Sequence, residues 1–342
     1  MVRYAILFFL VIYINTFAQG SDFKNYNFQK ADSIAALYKG EKLHNLPILA
    51  YKLTTSLPSD VEKFRAIYTW VCTNIENDYG YYHKNMNKRT KLQGDSIALS
   101  YWNSSFKRKV FQKLLKNNKT ICTGYAYLIR ELTILAGLDC KIVHGYGRTA
   151  TTNIRKKGVP NHSWNVVKLG HKWYLSDATW SSGRIDFIDG VETFISDYND
   201  GYFLASPELF IQNHYPLEEK WSLLDENITL EVFLNAPLVY KNAFKKQVIP
   251  VSPIKMHSEV NKNETVTFLF NTTQKIKQED IVLQIVGSMS TKNISPTILQ
   301  NTNRALKLSH SFKKAGHYDV HLKIDESIIA TYTVKVKKKN TK

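Results

Sequence analysis

Three short runs carry the side chains of a cysteine nucleophile and its helpers. Ile121-Cys122-Thr123-Gly124-Tyr125 offers a thiol, Asn161-His162-Ser163-Trp164-Asn165 an imidazole, and Ser176-Asp177-Ala178-Thr179-Trp180 a carboxylate. Together these groups can carry out acyl transfer. The thiolate attacks a carbonyl, the imidazole takes the thiol proton and later gives it to the departing amine, and the carboxylate orients the imidazole. Singly, each has an ordinary reading: a cysteine packed beneath a helix, a histidine at a loop end, an aspartate in a turn. The ordered set is what points to chemistry.

The elements around the three residues must bring them together. After Cys122, the residues Tyr125, Leu128, Ile129, Leu132 and Leu135 share one face of a helix that stops at Gly137. Cys122 therefore opens a helix, where unpaired N–H groups and the positive end of the macrodipole favour a thiolate. Thr123 and Gly124 are small, which would leave the first turn open to a substrate. Residues 141–146 then read as a strand, and residues 163–169 and 172–175 as a hairpin turning around Gly170. A hairpin loop with an even number of residues keeps His162 and Asp177 on one face, directly opposed or on a diagonal. An odd loop would separate them.

His144 and His171 compete with His162 as the base. His171 sits in the turn, too far along the hairpin to share a site with Asp177, whereas His144 lies on the strand that follows the cysteine helix. Cys122, His144 and His162 lack the CxxC or HxxxH spacing of a zinc site. No metal or other cofactor is expected.

Upstream, residues 22–57 are helical in pattern, Pro58 breaks the chain, and Ser59 or Asp60 caps a helix carrying Phe64, Ile67, Val71 and Ile75. Cys72 on that helix reads as a core thiol. Residues 84–118 are polar and lysine-rich and read as an irregular loop ending in a short helix. Beyond residue 225, alternating segments at 228–234, 265–270, 281–286, 317–324 and 329–336 suggest a β-sandwich. Gly316-His317-Tyr318 resembles the tyrosine-corner strand of immunoglobulin-like domains.

The 342 residues, with 44% hydrophobic and 13% aromatic content, fit a globular chain of about two domains. Met1-Val2-Arg3, the apolar run 4–14 and the small residues before Gln19 read as a signal peptide, residues 1–18, cut near Ala18. That run is too short to span a bilayer. No later stretch is apolar enough to do so, and the expected mature chain is exported to a periplasmic or extracellular space. The net charge of +17 includes clusters at Lys107-Arg108-Lys109 and Lys337-Lys338-Lys339. It reads either as a solvated basic surface or as attraction to an anionic envelope surface, and no nucleic-acid motif accompanies it. Three cysteines leave at least one without an intrachain partner. A Cys122–Cys140 bridge is disfavoured, because the intervening helix separates the two by roughly 20 Å against a Cα limit of about 7 Å. A Cys72–Cys140 bridge stays open.

As a set, the motifs resemble the transglutaminase-like superfamily, and within it the bacterial and kyphoscoliosis-peptidase-type members. The likeness rests on Ala66-Ile67-Tyr68-Thr69-Trp70 with Asn74-Ile75, on Cys122-Thr123-Gly124-Tyr125-Ala126, on His162-Ser163-Trp164-Asn165, and on Trp173-Tyr174-Leu175-Ser176-Asp177-Ala178-Thr179-Trp180. It implies an α+β, papain-like core with an N-terminal helical region, followed by a C-terminal immunoglobulin-like β-sandwich. The expected organisation is a transglutaminase-like domain over residues 19–225 with its core at about 61–180, a sandwich at 226–336 and a basic tail at 337–342.

The resemblance also implies Cys122 as nucleophile, His162 as general base and Asp177 as orienter, acting on protein or peptide substrates through a thioester. The backbone N–H of Cys122 is one oxyanion donor. No upstream Gln or Trp stands clearly as the second, and Trp102 is the candidate. Tyr125, Trp164 and Trp180 are candidates for substrate binding. Hydrolysis is favoured over cross-linking, because water is always present while a cross-linker must shield its thioester. The alternative is a non-catalytic envelope scaffold with a relic triad.

Overall fold

A computed structural model describes residues 22–23, 25–150, 152 and 158–338. The expected signal peptide at residues 1–18 and residues 339–342 of the basic tail lie outside them. The first helices, α1 (Gln29–Leu37) and α2 (Leu46–Thr54), pack on α3 (Asp60–Asn74), whose N-cap Ser59 accepts from the Glu62 N–H. Phe64, Ile67, Tyr68 and Val71 of α3 are fully buried. Arg65 fixes α1 by a two-pronged pair with Asp32, Nε–Oδ1 at 2.7 Å and Nη2–Oδ2 at 3.0 Å. The rings of Phe28 and Phe203 lie against its guanidinium.

The expected loop at 84–118 is instead two helices, α4 (Tyr79–Lys91) and α5 (Ser96–Asn117). Asp78 and Asp95 cap them by accepting from the N–H groups of Tyr81 and Ala98. α5 buries only Phe106, Val110 and Leu114 over its 22 residues, so its polar remainder masked the helical period. Around this pair, β1 (Glu76–Asn77) and β2 (Lys119–Thr120) form a short parallel bridge, with Asn77 opposite Thr120. That bridge delivers the chain into α6 (Cys122–Leu135).

α6 lies on a central antiparallel sheet. Its strands are β3 (Cys140–Gly147), β4 (His162–Leu169) and β5 (Lys172–Ser176). After them come α7 (Ala178–Ser182), the hairpin of β6 (Gly183–Ile188) and β7 (Val191–Ser196), and α8 (Pro207–Phe210). The last strand, β8 (His214–Pro216), completes the order β5-β4-β3-β8. Leu169 pairs with Lys172, so the loop is the two residues Gly170-His171, with Gly170 at φ +61°. This even loop sets the face that each side chain takes. Asn165 and Val167 face α6, while Trp164 and Val166 face the other way.

Residues 228–234, expected as a strand, contain the helix α9 (Leu230–Asn235), capped by Thr229. Only Phe233 of that segment is deeply buried, and the alternation that suggested a strand covers no second apolar face. There follow β9 (Leu238–Val239), α10 (Lys241–Lys246), β10 (Ile249–Ser252), β11 (His257–Asn261) and β12 (Thr265–Asn271). The remaining strands are β13 (Ile281–Val286), β14 (Thr291–Ile294), β15 (Thr297–Asn301), β16 (Ala305–Ser311), β17 (Gly316–Ile324) and β18 (Ser327–Lys337). They make an immunoglobulin-like sandwich of two sheets, β10-β12-β16-β15 and β11-β18-β17-β13-β14, with β9 on β18. The Tyr318 hydroxyl donates to the Lys314 carbonyl at 3.0 Å, the bond expected of a tyrosine corner.

One apolar cluster runs from Val143, Trp164, Val166 and Leu175 of the central sheet, through Phe210 and Phe244, to Phe268, Leu308 and Tyr332 of the sandwich. The sandwich and the outer face of the central sheet therefore share a core. A second cluster, with Tyr68, Trp70, Tyr125 and Leu128, fills the space between α3, α6 and the sheet's other face.

Candidate active site

The two-residue hairpin loop leaves His162, the first residue of β4, and Asp177, the residue after β5, on a diagonal of one face. His162 Nε2 and Asp177 Oδ2 are 2.8 Å apart, both side chains buried. Asp177 also caps α7, its Oδ1 accepting from the N–H groups of Thr179 at 2.8 Å and Trp180 at 3.3 Å. The carboxylate is thus locked by its own helix start and aimed at the imidazole. Trp180 stacks on the His162 ring at 4.7 Å and 24°. Gly147 makes that stack possible, since a Cβ there would come within 3.0 Å of both the His162 side chain and the Trp180 ring.

Nε2 is committed to Asp177, which leaves Nδ1 of His162 for the neighbouring Cys122 sulfur, a further group that favours the charged ring. Burial pulls the His162 pKa down, but the Asp177 carboxylate, together with Cys122, outweighs burial and holds it up at about 10. Asp177 shows the reciprocal effect: burial favours its neutral form, and His162 and His214 overcome that to hold it well below the usual carboxylate range. At neutral pH the ring is therefore a cation held between a carboxylate and the Cys122 sulfur.

His214 is a partner that the sequence did not disclose. It lies on the three-residue strand β8, fully buried, with Nε2 at 3.0 Å from the same Asp177 Oδ2 and Nδ1 at 2.6 Å from the Asn213 carboxamide. Phe210 stacks on it at 3.9 Å and Trp180 lies 4.3 Å away. Burial drives its pKa down to about 4, Asp177 notwithstanding, so it is neutral and donates one N–H to the carboxylate.

His162, Asp177 and His214 place their ligand atoms within 4.8 Å of one another. The carboxylate oxygen is already hydrogen-bonded to both rings at 2.8 and 3.0 Å. A zinc ion would need ligands at about 2.0–2.2 Å around an open centre. The set fits a hydrogen-bonded cluster better than a metal cage.

Cys122, His162, Thr179 and Trp180 line one cavity of about 620 Å³, together with Asn77, Tyr79 and Tyr82 from the α4 side and Phe187 and Phe194 from the β6–β7 hairpin. Val239, Tyr240 and Ile328 close it from the sandwich. Among the described residues no acidic side chain lines it.

The other residues singled out in the sequence lie elsewhere. Trp102 sits on α5 and its indole N–H donates to Asn85 Oδ1 at 3.0 Å, so it does not serve the cavity. Tyr125 is sealed in the core with its hydroxyl on the Ile75 carbonyl at 2.6 Å, and Trp164 is buried beneath the sandwich. His144 pairs with Ser163, one pleat out of step with His162, and faces away from Asp177. Gly124 does not keep the helix start open: the Thr120 side chain occupies its open side, with Oγ1 only 1.9 Å from where a Cβ would stand. All three cysteines are free and buried, which closes the question of a Cys72–Cys140 bridge, and burial pushes the Cys140 thiol up to about 12.

Residues 48–178 match the family model described as the transglutaminase-like superfamily. Kyphoscoliosis peptidase of Homo sapiens is 32% identical over 243 residues, covering 70% of this chain and 33% of that protein. Hillarin of Drosophila melanogaster is 27% identical over 231 residues, covering 64% of this chain and 25% of its own length. The chain thus spans about a third or less of the curated relatives it matches. Among solved structures, the Lin-41 filamin domain covers 27% of this chain and 93% of its own, at 11% identity and a TM-score of 0.22. Residues 48–178 thus form a transglutaminase-like domain.

Proposed function

We propose that the chain is a cysteine enzyme that hydrolyses amide or peptide bonds in protein substrates. The observation that carries this reading is the His162 ring held between the Asp177 carboxylate and the Cys122 sulfur at the wall of a cavity. Cys122 Sγ bonds to the substrate carbonyl carbon, and the thiol proton resides on His162 Nδ1. The C–N bond then breaks, and the imidazolium gives that proton to the departing amine. Water, deprotonated by the now neutral ring, adds to the thioester, the C–S bond breaks, and the sulfur leaves as a thiolate beside the re-formed imidazolium. Asp177 stays ionised throughout and holds the ring's orientation.

Hydrolysis rather than cross-linking is supported by the cavity. A lysine amine approaching as a cation would meet Arg148 and no carboxylate among the described lining residues, while Arg184 and Lys241 on the same wall are already paired with Asp197. Export is part of the same reading and rests on the N-terminal apolar run. Among the described residues no helix is long and apolar enough to cross a membrane.

The test is mass spectrometry of a casein mixture incubated with the wild-type chain or with Cys122→Ala. New peptide termini with the wild type alone support hydrolysis of peptide bonds, and new glutamates at glutamine positions support amidase action. Lysine cross-links would replace hydrolysis by transfer. Identical mixtures from the two proteins would overturn the reading.

A further inference from the structure

The mechanism needs a second oxyanion donor beside the Cys122 N–H, and Trp102 is committed to Asn85. Asn77 meets the requirements. It lies on β1, in parallel register with Thr120, two residues before the nucleophile. Directly paired residues on neighbouring strands project to the same face. Thr120 projects onto Gly124 in the first turn of α6, so Asn77 projects towards that turn as well. Asn77 lines the cavity with Cys122 and His162.

Its hydrogen bonding is the second observation. The Oδ1 atom is sealed from solvent without a partner, and among the described residues the side chain makes no hydrogen bond. A sealed carboxamide oxygen left unpaired loses its hydration without replacement, and such groups call for an explanation. Of the other carboxamides on the cavity wall, Asn161 bridges the Gly147 N–H and carbonyl at 2.7 and 2.8 Å, Asn213 is tied to Tyr202 and His214, and Asn242 belongs to α10 on the sandwich side. Asn77 is the one whose strand pairs directly with the residues leading into Cys122.

We infer that Asn77 is a catalytic residue whose side-chain amide, with the Cys122 backbone N–H, binds the oxyanion formed when the thiolate adds to the substrate carbonyl. This rests on the cysteine-enzyme reading above. In the resting protein the amide waits unpaired, and its hydrogen bond is made only when negative charge develops, which is the condition for lowering the barrier rather than tightening ground-state binding.

The experiment compares two reagents on the same thiol. p-Nitrophenyl acetate acylates Cys122 through a tetrahedral oxyanion, whereas iodoacetamide alkylates it by displacement with no oxyanion. Asn77→Ala is expected to slow the p-nitrophenol burst by about 10²–10³-fold while alkylation stays within about twofold of the wild type. Asn77→Gln, with the same amide on a longer arm, is expected to recover part of the burst. Equal losses with both reagents would mean that Asn77 merely supports the thiol's surroundings, and an unchanged burst in Asn77→Ala would mean that the donor lies elsewhere; either overturns the assignment. A wild-type chain with no Cys122-dependent burst would instead overturn the enzyme reading, and this assignment with it.

Discussion

Replacing His214 by Phe separates what that residue does for the fold from what it does for the carboxylate. Phe keeps the stack on Phe210 at 3.9 Å and the contact with Trp180 at 4.3 Å, and removes only the N–H aimed at Asp177 and the link to Asn213. A hydrogen bond to a buried charge contributes about 1.5–3 kcal/mol, so the variant should be less stable by about that amount at pH 7. The pH dependence runs the other way. The His214 pKa is depressed from 6.5 to about 4 in the fold. Its contribution is therefore complete above 6.5 and is lost as pH falls towards 4, where the unfolded chain takes up a proton that the folded one refuses. A shift of that size is on the order of 3 kcal/mol at 1.36 kcal/mol per pH unit. Urea midpoints at constant m should show wild-type stability falling between pH 6.5 and 4.5 more steeply than that of His214→Phe, so that the gap seen at pH 7 closes or reverses. Curves that stay parallel across this window would refute the neutral, buried state of His214.

His162 gives a prediction of opposite sign. With its pKa held up at about 10, the imidazolium that protonates the leaving amine is lost only as pH rises through that value. Cleavage of labelled casein should decline above about pH 10, and the decline should move to lower pH in Asp177→Asn, because the carboxylate is the main group raising the ring. A third expectation concerns the entry to α6. Gly124→Ala sets a methyl 1.9 Å from Thr120 Oγ1 and should cost about 1–3 kcal/mol by overpacking. Thr120→Ala in the same chain should recover part of the loss, and thermal melts of the two single variants and the double variant would measure the coupling.

The residues that differ in legibility differ for physical reasons. Cys122, His162 and Asp177 were readable because each sits at the edge of an element with a strong period, and the parity of a two-residue loop fixes a face without knowledge of the rest of the fold. His214 was not readable. It lies 37 residues beyond Asp177 on a strand of three residues, too short for alternation to register, and only packing against Phe210 and Trp180 brings it to the carboxylate. Residues 84–118 do not read as helices because α5 buries only Phe106, Val110 and Leu114, none of them in its first turns. The aspartate caps at 78 and 95 were the local signals that could have marked those helices. Asn77 illustrates a different limit: a two-residue parallel bridge has no sequence signature, so nothing placed that amide beside the thiol until β1 and β2 were paired.

The core that joins Trp164 and Val166 to Phe268 and Tyr332 limits how this chain can be rearranged. A module can be cut out and recombined when its boundary passes through hydrated, sparsely packed chain. Here a cut between sheet and sandwich would strip the cover from Trp164 and remove Val239, Tyr240 and Ile328 from the cavity wall. The fragment bearing Cys122 would be left with an apolar face in water and a substrate cleft open on one side. Calorimetry of the intact chain should accordingly show one cooperative transition, with the thiol and the sandwich losing their structure together.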